Sequence, residues 1–223
     1  SANEKKNIVI TGSSKGIGKA IAKKCFIDGH NVIISSRNKE NTLSTYQEFM
    51  ELSKDNDNCG FVYPFNADVT VYKDCERLIE QCISKMGHID IWINNSGVST
   101  KNELINLSDN HIDSIIDTNL KGTIYCCNLL IPIMMAQDRQ GIIINFEGAG
   151  SNSLPTPEYS VYGATKSAIT QFTKTLSLEY SKSNIHFCTI SPGMVVTELL
   201  LSNCTDKMKT IFNIFAEKPE RVA

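Results

Sequence analysis

Short, nearly continuous apolar runs alternate along this chain with longer segments in which apolar residues return every three or four positions. The runs fall at Asn7–Thr11, Asn31–Ser35, Phe61–Phe65, Ile89–Ile93, Gly141–Asn145 and Ile185–Ile190. Their length and near-continuous apolar character predict strands buried on both faces. The periodic segments predict helices from Gly18 to about Asp28, Lys39 to Lys54, Val71 to Met86, Asp109 to Ala136 and Ser160 to about Lys182. Gly29 and Gly87 stop the first and third of these. Strand and helix in steady alternation call for an α/β fold, a doubly wound parallel sheet covered on both faces. No repeat, low-complexity linker or second domain interrupts the pattern, so residues 1–223 are expected to form a single domain.

Composition narrows the picture. With 223 residues and 41% hydrophobic content the chain buries one sizeable core. A net charge of -2 and the lack of a basic tract argue against nucleic acid as a partner. The longest apolar runs fall well short of a membrane span, and no signal peptide precedes the first strand, so a cytoplasmic protein is expected. None of the eight Cys stands in CxxC spacing, and Cys25, Cys126, Cys127 and Cys188 sit inside helical or strand patterns. Reduced core thiols are expected rather than disulfides or metal ligands. The four His are scattered without ligand spacing, and no metal site is predicted.

Two stretches carry chemistry. The first strand runs directly into Thr11-Gly-Ser-Ser-Lys-Gly-Ile-Gly18, which opens a helix. Glycines there let the backbone turn and approach a pyrophosphate at the helix N-terminus, so Gly12, Ser14, Lys15, Gly16, Ile17 and Gly18 are expected to cradle a dinucleotide. The spacing is G-x-x-x-G-x-G rather than G-x-G-x-x-G. The second strand ends Ser35-Ser36-Arg37, with no acid to hold a ribose 2′-hydroxyl. Lys15 and Arg37 are placed to bind a 2′-phosphate instead, which favours NADP(H) over NAD(H). The second stretch is Tyr162-Gly-Ala-Thr-Lys166. Residues four apart on a helix share a face, so a phenol and an ammonium point into one site. Free Tyr and Lys have pKa values near ~10 and ~10.4. The cation is expected to lower the Tyr162 pKa toward working pH, where it exchanges a proton with a substrate oxygen.

Together with Asp68, Asn94-Asn-Ser-Gly97, Asn119, Ser191-Pro-Gly193 and Thr197, these motifs make the chain resemble the short-chain dehydrogenase/reductase family (Rossmann fold) over nearly its whole length. The resemblance implies that Asp68 and Val69 flank the adenine. It implies that Asn94 steadies the strand ends and that Asn95, Ser96 and Gly97 line the cofactor site. Pro192, Gly193, Val195 and Thr197 would meet the nicotinamide side. Tyr162 and Lys166 would also contact the cofactor, Lys166 through the nicotinamide ribose, while Asn119 positions a water for proton relay to Lys166. The sequence stops at Ala223, before the seventh strand that family members commonly carry, so either that end is disordered or cut away or this subgroup ends differently.

One departure stands out. The family places a Ser two or three residues beyond the Asn of the fifth strand, and here Glu147 and Gly148 hold those places. Ser151 is the next hydroxyl, and it is the expected substitute if the loop folds back. Otherwise Tyr162 acts with less help, or activity has been lost. Asn145-Phe-Glu-Gly-Ala-Gly-Ser151, Pro155-Thr-Pro157 and Ile89-Asp-Ile-Trp-Ile-Asn-Asn95 are similar to the plant chlorophyll b reductase subgroup, which reduces a formyl group on a large apolar pigment. By that likeness a plastid location is the alternative to the cytoplasm. Beyond Thr197, Leu199-Leu-Leu201 and Ile211-Phe-Asn-Ile-Phe215 suggest an apolar substrate lid over about residues 194–216, with core packing as the alternative.

The expected function is NADPH-dependent hydride transfer to the carbonyl, or from the alcohol, of an apolar small-molecule substrate. A 3-oxoacyl thioester (acyl carrier protein) reductase is the runner-up within the enzyme class, and a catalytically silent dinucleotide-binding sensor or scaffold is the alternative outside it. The Asp109–Ala136 helix carries apolar residues around much of its circumference in its second half. That pattern and the family resemblance point to a homodimer or homotetramer.

Overall fold

Ile8 and Ile10 face one side of a central sheet and Val9 the other, and all three are fully buried. That alternation sets the architecture of the computed structural model, which describes residues 4–191. Six strands, β1 (Asn7–Thr11), β2 (Asn31–Ser36), β3 (Val62–Asn66), β4 (Ile91–Asn94), β5 (Gly141–Phe146) and β6 (Ile185–Ile190), form one sheet in the order β3-β2-β1-β4-β5-β6. Every pairing is parallel. Helices α1 (Gly16–Ile27) and α2 (Lys39–Leu52) cover the face of Ile8 and Ile10 through Ala22, Cys25, Phe26 and Phe49. Helices α3 (Tyr72–Met86), α5 (Gly122–Met135) and α6 (Ser160–Glu179) cover the face of Val9 and Trp92. Each fully buried aliphatic side chain contributes roughly 1.5–3 kcal/mol to this two-sided core.

Five of the buried core residues, Cys25, Cys75, Cys82, Cys126 and Cys127, are thiols packed like small hydrophobes. Burial pushes the Cys25 and Cys127 thiols up to about 12, which keeps them protonated and inert. Among the described residues no group of His, Cys, Asp or Glu is placed to hold a metal ion, and no helix is long and apolar enough to cross a membrane.

The segment expected to be one long helix from Asp109 to Ala136 is three pieces. Helix α4 (Asp109–Ile116) is capped by Ser108, whose hydroxyl accepts from the His111 N–H at 3.3 Å. A π-turn over Asp117–Lys121 follows, and α5 then carries Pro132 inside it. The π-turn inserts an extra residue per turn, so the apolar stripes of α4 and α5 are out of phase. The apolar positions of the second half lie within α5 itself, where Ile124, Tyr125, Leu129 and Ile133 are half-buried. In α5 the buried residues are Gly122, Thr123, Cys126, Cys127, Leu130, Ile131 and Met134, while Asn128, Pro132 and Met135 are exposed.

Where the sheet order reverses, between β1 and β4, a crevice opens at the carboxyl ends of the strands, the place where open α/β sheets bind ligands. The ends of β4 and β5 are tied there by amides. Asn94 Nδ2 donates to Asn145 Oδ1 at 2.8 Å, and Trp92 Nε1 donates to Asn94 Oδ1 at 2.8 Å. Asn145 Nδ2 reaches Thr173 Oγ1 of α6 at 2.9 Å. This is the strand-end support that the sequence assigned to Asn94.

Candidate active site

The crevice holds a cleft of about 360 Å³. Its floor is the glycine turn between β1 and α1. Gly12 takes φ +64, and a Cβ there would stand 2.9 Å from the Ser96 Cα, so β4's following loop leaves room for glycine alone. Asn95 locks the turn: its Nδ2 donates to the carbonyls of Thr11 and Gly12, both at 3.0 Å. Thr11 Oγ1 accepts from the N–H groups of Asn95 and Ser96, both at 3.1 Å. Asn95 therefore lines the cleft while spending its amide on the turn.

Helix α1 starts at Gly16 without a capping side chain and without an acid in its first turn. Its first N–H groups are left for an anion, the arrangement that suits a pyrophosphate. Gly12, Ser14, Lys15, Gly16, Ile17 and Gly18 all line the cleft, as do Ser36 and Arg37 from the end of β2. Lys15 and Arg37 are exposed, and neither has an ion-pair partner among the described residues. On the opposite wall stand Ala67, Asp68 and Val69. Asp68 Oδ1 accepts from Thr70 N and Oγ1 at 2.9 and 2.8 Å, which fixes the carboxylate at the rim.

Thr118 completes this wall, a residue that no motif in the sequence marks. Its hydroxyl is buried with no hydrogen-bond partner among the described residues. Thr123, Thr170, Thr173 and Thr175 each return their hydroxyl to the carbonyl four residues back. Thr118, inside the π-turn and on the cleft, does not. An orphaned buried hydroxyl is costly unless something polar meets it. With the uncapped helix and the unpaired cations, it makes the cleft fit a dinucleotide.

Tyr162 and Lys166 lie one turn apart on α6 and both line the cleft. Lys166 is 5% exposed, and its Nζ donates to the Phe146 carbonyl at 2.9 Å and sits 5.7 Å from the centre of the Tyr162 ring. The expected lowering of the Tyr162 pKa is not what this arrangement produces. Burial, with Tyr159 adding to it, pushes the phenol up. Burial also pushes Lys166 down to about 8, with Glu147 acting against it. Desolvation outweighs the attraction because the ammonium spends its bond on a peptide carbonyl rather than on the phenol oxygen.

Asn119 sits in the π-turn, outside the cleft lining. Its Oδ1 accepts from Val98 N at 2.8 Å, and its Nδ2 donates to Val98 O at 2.9 Å and to Thr165 Oγ1 at 3.3 Å. The amide thus staples the loop after β4 to α6, with Gly97 and Val98 on the cleft between them. Ser151 is not brought to the cleft. Its hydroxyl donates to the Gly148 carbonyl at 2.7 Å and closes a turn. Pro192, Gly193, Val195, Thr197 and the lid expected at 194–216 lie outside the described residues. Sequence reasoning also missed Phe146 and Glu147 as cleft residues.

Comparison with known proteins fits this geometry. The model of the family described as short chain dehydrogenase matches residues 6–207. Chlorophyll(ide) b reductase NOL, chloroplastic, of Oryza sativa subsp. japonica is 40% identical over 223 residues, covering 97% of this chain and 64% of that protein. Its Arabidopsis thaliana counterpart is 38% identical, with 97% and 63% covered. The chain spans 46% of a longer rice relative, the Probable chlorophyll(ide) b reductase NYC1. Among solved structures, 3-ketoacyl-(acyl-carrier-protein) reductase from Brucella melitensis complexed with NADH superposes with TM-score 0.75 at 26% identity, covering 86% of this chain and 76% of that one. Alcohol dehydrogenase from Thermococcus sibiricus complexed with 5-hydroxy-NADP gives TM-score 0.76 at 25% identity, covering 87% and 79%.

Proposed function

Because the chain belongs to the short-chain dehydrogenase family and is an oxidoreductase, we propose that it is an NADPH-dependent reductase of a carbonyl on a bulky apolar substrate. The observation that carries this reading is the placement of a protonated Tyr162 beside Lys166 on the wall of a dinucleotide-shaped cleft. Bound there, the nicotinamide supplies the hydride. Tyr162 gives its proton to the carbonyl oxygen: its O–H bond breaks, the new O–H bond forms on the product alcohol, and the electron pair stays on the phenolate. The Lys166 cation stabilises that phenolate until solvent returns the proton. Asn119 fixes the cleft wall behind Lys166 by holding Val98, and serves the return of the proton through a water. Lys15 and Arg37 hold the 2′-phosphate, because two unpaired cations and no carboxylate face that end.

Exposed apolar side chains on the segments after β4 and β5 support the substrate class. Leu104 and Ile105, after β4, and Leu154, after β5, are 58%, 88% and 63% exposed. Their two segments are joined by Asn102 N donating to Glu158 O at 2.9 Å and by the Lys101–Glu158 ion pair at 3.3 Å. Exposed apolar side chains on two joined segments offer a surface to an apolar substrate. A formyl group on a large ring system, by analogy with the plant chlorophyll(ide) b reductases, is the first substrate to try. A 3-oxoacyl thioester is the second, given the Brucella melitensis likeness. The protein works in a reducing compartment, cytoplasmic or plastid, as a homodimer or homotetramer. Light scattering tests the latter, since a monomer of 24.7 kDa would reject it.

The test is a carbonyl panel read by NADPH absorbance, with Tyr162→Phe as control. Turnover in the wild type and its loss in Tyr162→Phe, at unchanged NADPH affinity, is the expected result. NADPH binding without turnover of any carbonyl would favour the second reading, a silent dinucleotide sensor, for which the missing serine at Gly148 speaks.

A further inference from the structure

The strand edge that holds Lys166 carries a carboxylate that the catalytic reading leaves unused. Glu147 follows Phe146, whose carbonyl accepts the Lys166 ammonium at 2.9 Å, so the two charges belong to one stretch of wall. The Glu147 N–H donates to the Ile190 carbonyl at 2.8 Å, which pins its backbone to β6. Thr170, one turn beyond Lys166 on α6, donates to Glu147 Oε1 at 3.1 Å and lies 3.2 Å from the Lys166 carbonyl. Helix and strand edge therefore hold the carboxylate against the turn that presents Lys166. Both residues line the cleft. A half-buried carboxylate on an active-site wall costs desolvation unless a cation repays it.

We propose that Glu147 is a positioning residue whose carboxylate keeps Lys166 a cation beside Tyr162, electrostatic support delivered from a position where the family resemblance led us to expect a hydroxyl. The inference rests on the Tyr162–Lys166 pair being the catalytic pair. Among the described residues, Glu147 is the one carboxylate acting on Lys166. On its own helix the titratable neighbour is Tyr162, and Tyr159 stands at the helix start with its ring 6.0 Å from that of Tyr162. From the β4 side it faces Gly97, which the neutral amide of Asn119 also approaches. Burial draws Lys166 down to about 8, and Glu147 is the charge that resists it. Without that charge the balance would move further toward the neutral amine. The phenolate formed when Tyr162 gives up its proton would then lack its counter-charge.

The test titrates Lys166 itself. Lysine labelled at Cε gives a resonance for each side chain, and Lys166→Met assigns the one in question. Glu147→Gln is expected to lower the Lys166 midpoint by about half a pH unit or more, while Glu147→Asp holds it near the wild-type value. The alkaline limb of kcat/KM should move with the midpoint. Thr170→Val, which frees the carboxylate without removing it, is expected to lower the midpoint by less, and it serves if Glu147→Gln fails to fold. A midpoint that stays put in the variants overturns the proposal. Because the resonance reports ionisation and not turnover, a shifting midpoint in a protein that reduces nothing would reject the reductase reading, and the positioning role with it, while leaving the electrostatic coupling of Glu147 to Lys166 intact.

Discussion

Gly148 lies flat against the Tyr162 phenol: a Cβ built on Gly148 would overlap the hydroxyl oxygen and stand 3.0 Å from the ring carbon that bears it. The glycine is what lets the proton donor occupy its place. Its φ is outside the left-handed region, so the backbone accepts a side chain and only space forbids it. Gly148→Ser is therefore expected to displace the phenol. A displacement of about 1 Å costs on the order of 10²-fold in kcat, with NADPH affinity within about twofold of wild type. A gain in kcat would mean that the site lacked a serine and that Tyr162 was waiting for one.

Ser151→Ala tests the hydroxyl that the sequence offered as a replacement. Its bond to the Gly148 carbonyl closes a turn and touches no cleft residue's side chain. Loss of one such bond is worth about 0.5–1.5 kcal/mol of stability. Thermal melting should drop by a few degrees, on the order of 2–4 °C per kcal/mol for a chain of this size, while kcat/KM stays within about threefold. A fall of ~10²-fold in kcat at constant melting temperature would place the hydroxyl on the substrate after all.

Arg37→Ala should discriminate between cofactors. A charge-assisted hydrogen bond is worth roughly 1.5–3 kcal/mol, so NADPH affinity is expected to fall on the order of tenfold or more. NADH affinity should barely change. Wild-type protein that binds both equally would remove Lys15 and Arg37 from the 2′-phosphate.

Lys166→Met should make the protein more stable and inactive. Burial lowers Lys166 from 10.5 to about 8. The wild type thus pays to keep an ammonium in the fold at every pH below 8. That gap corresponds to on the order of 3 kcal/mol. Met forgoes the bond to the Phe146 carbonyl, so a net gain on the order of 1 kcal/mol at pH 7 is expected from urea denaturation. Between 8 and 10.5 the unfolded chain binds more protons than the folded one, so wild-type stability rises with pH and the gap closes. A variant less stable than wild type at pH 7 would show that burial of Lys166 is not the dominant cost.

Much of the fold is legible in the sequence because the strands are short apolar runs with polar ends. Asn7–Thr11 and Ile185–Ile190 match β1 and β6 to the residue. The π-turn at Asp117–Lys121 is not legible, because one extra residue shifts helical phase without changing composition. The spacing of Tyr162 and Lys166 places them on one face, but spacing carries no information about solvent. Both pKa directions are set by burial, and burial depends on Phe146 and Gly148 from another element. Ser151 is a case of the same kind: counting residues to a hydroxyl does not tell which way a loop turns. Thr118 is invisible for a different reason, since nothing in a helical threonine announces that its hydroxyl will find no carbonyl.

The lock that Asn95 places on the Thr11–Gly12 turn spans 83 and 84 residues of chain. The glycine turn leaves the ribosome well before the amide that holds its shape. At about 5–20 residues per second, a nascent chain spends several seconds with the turn synthesised and its brace missing. Cofactor has nothing preformed to grip during that interval, so binding cannot support the turn as it emerges. Scarcity of cofactor in the cell would therefore be felt by finished chains, through the loss of ligand-linked stability, and not by those still being made.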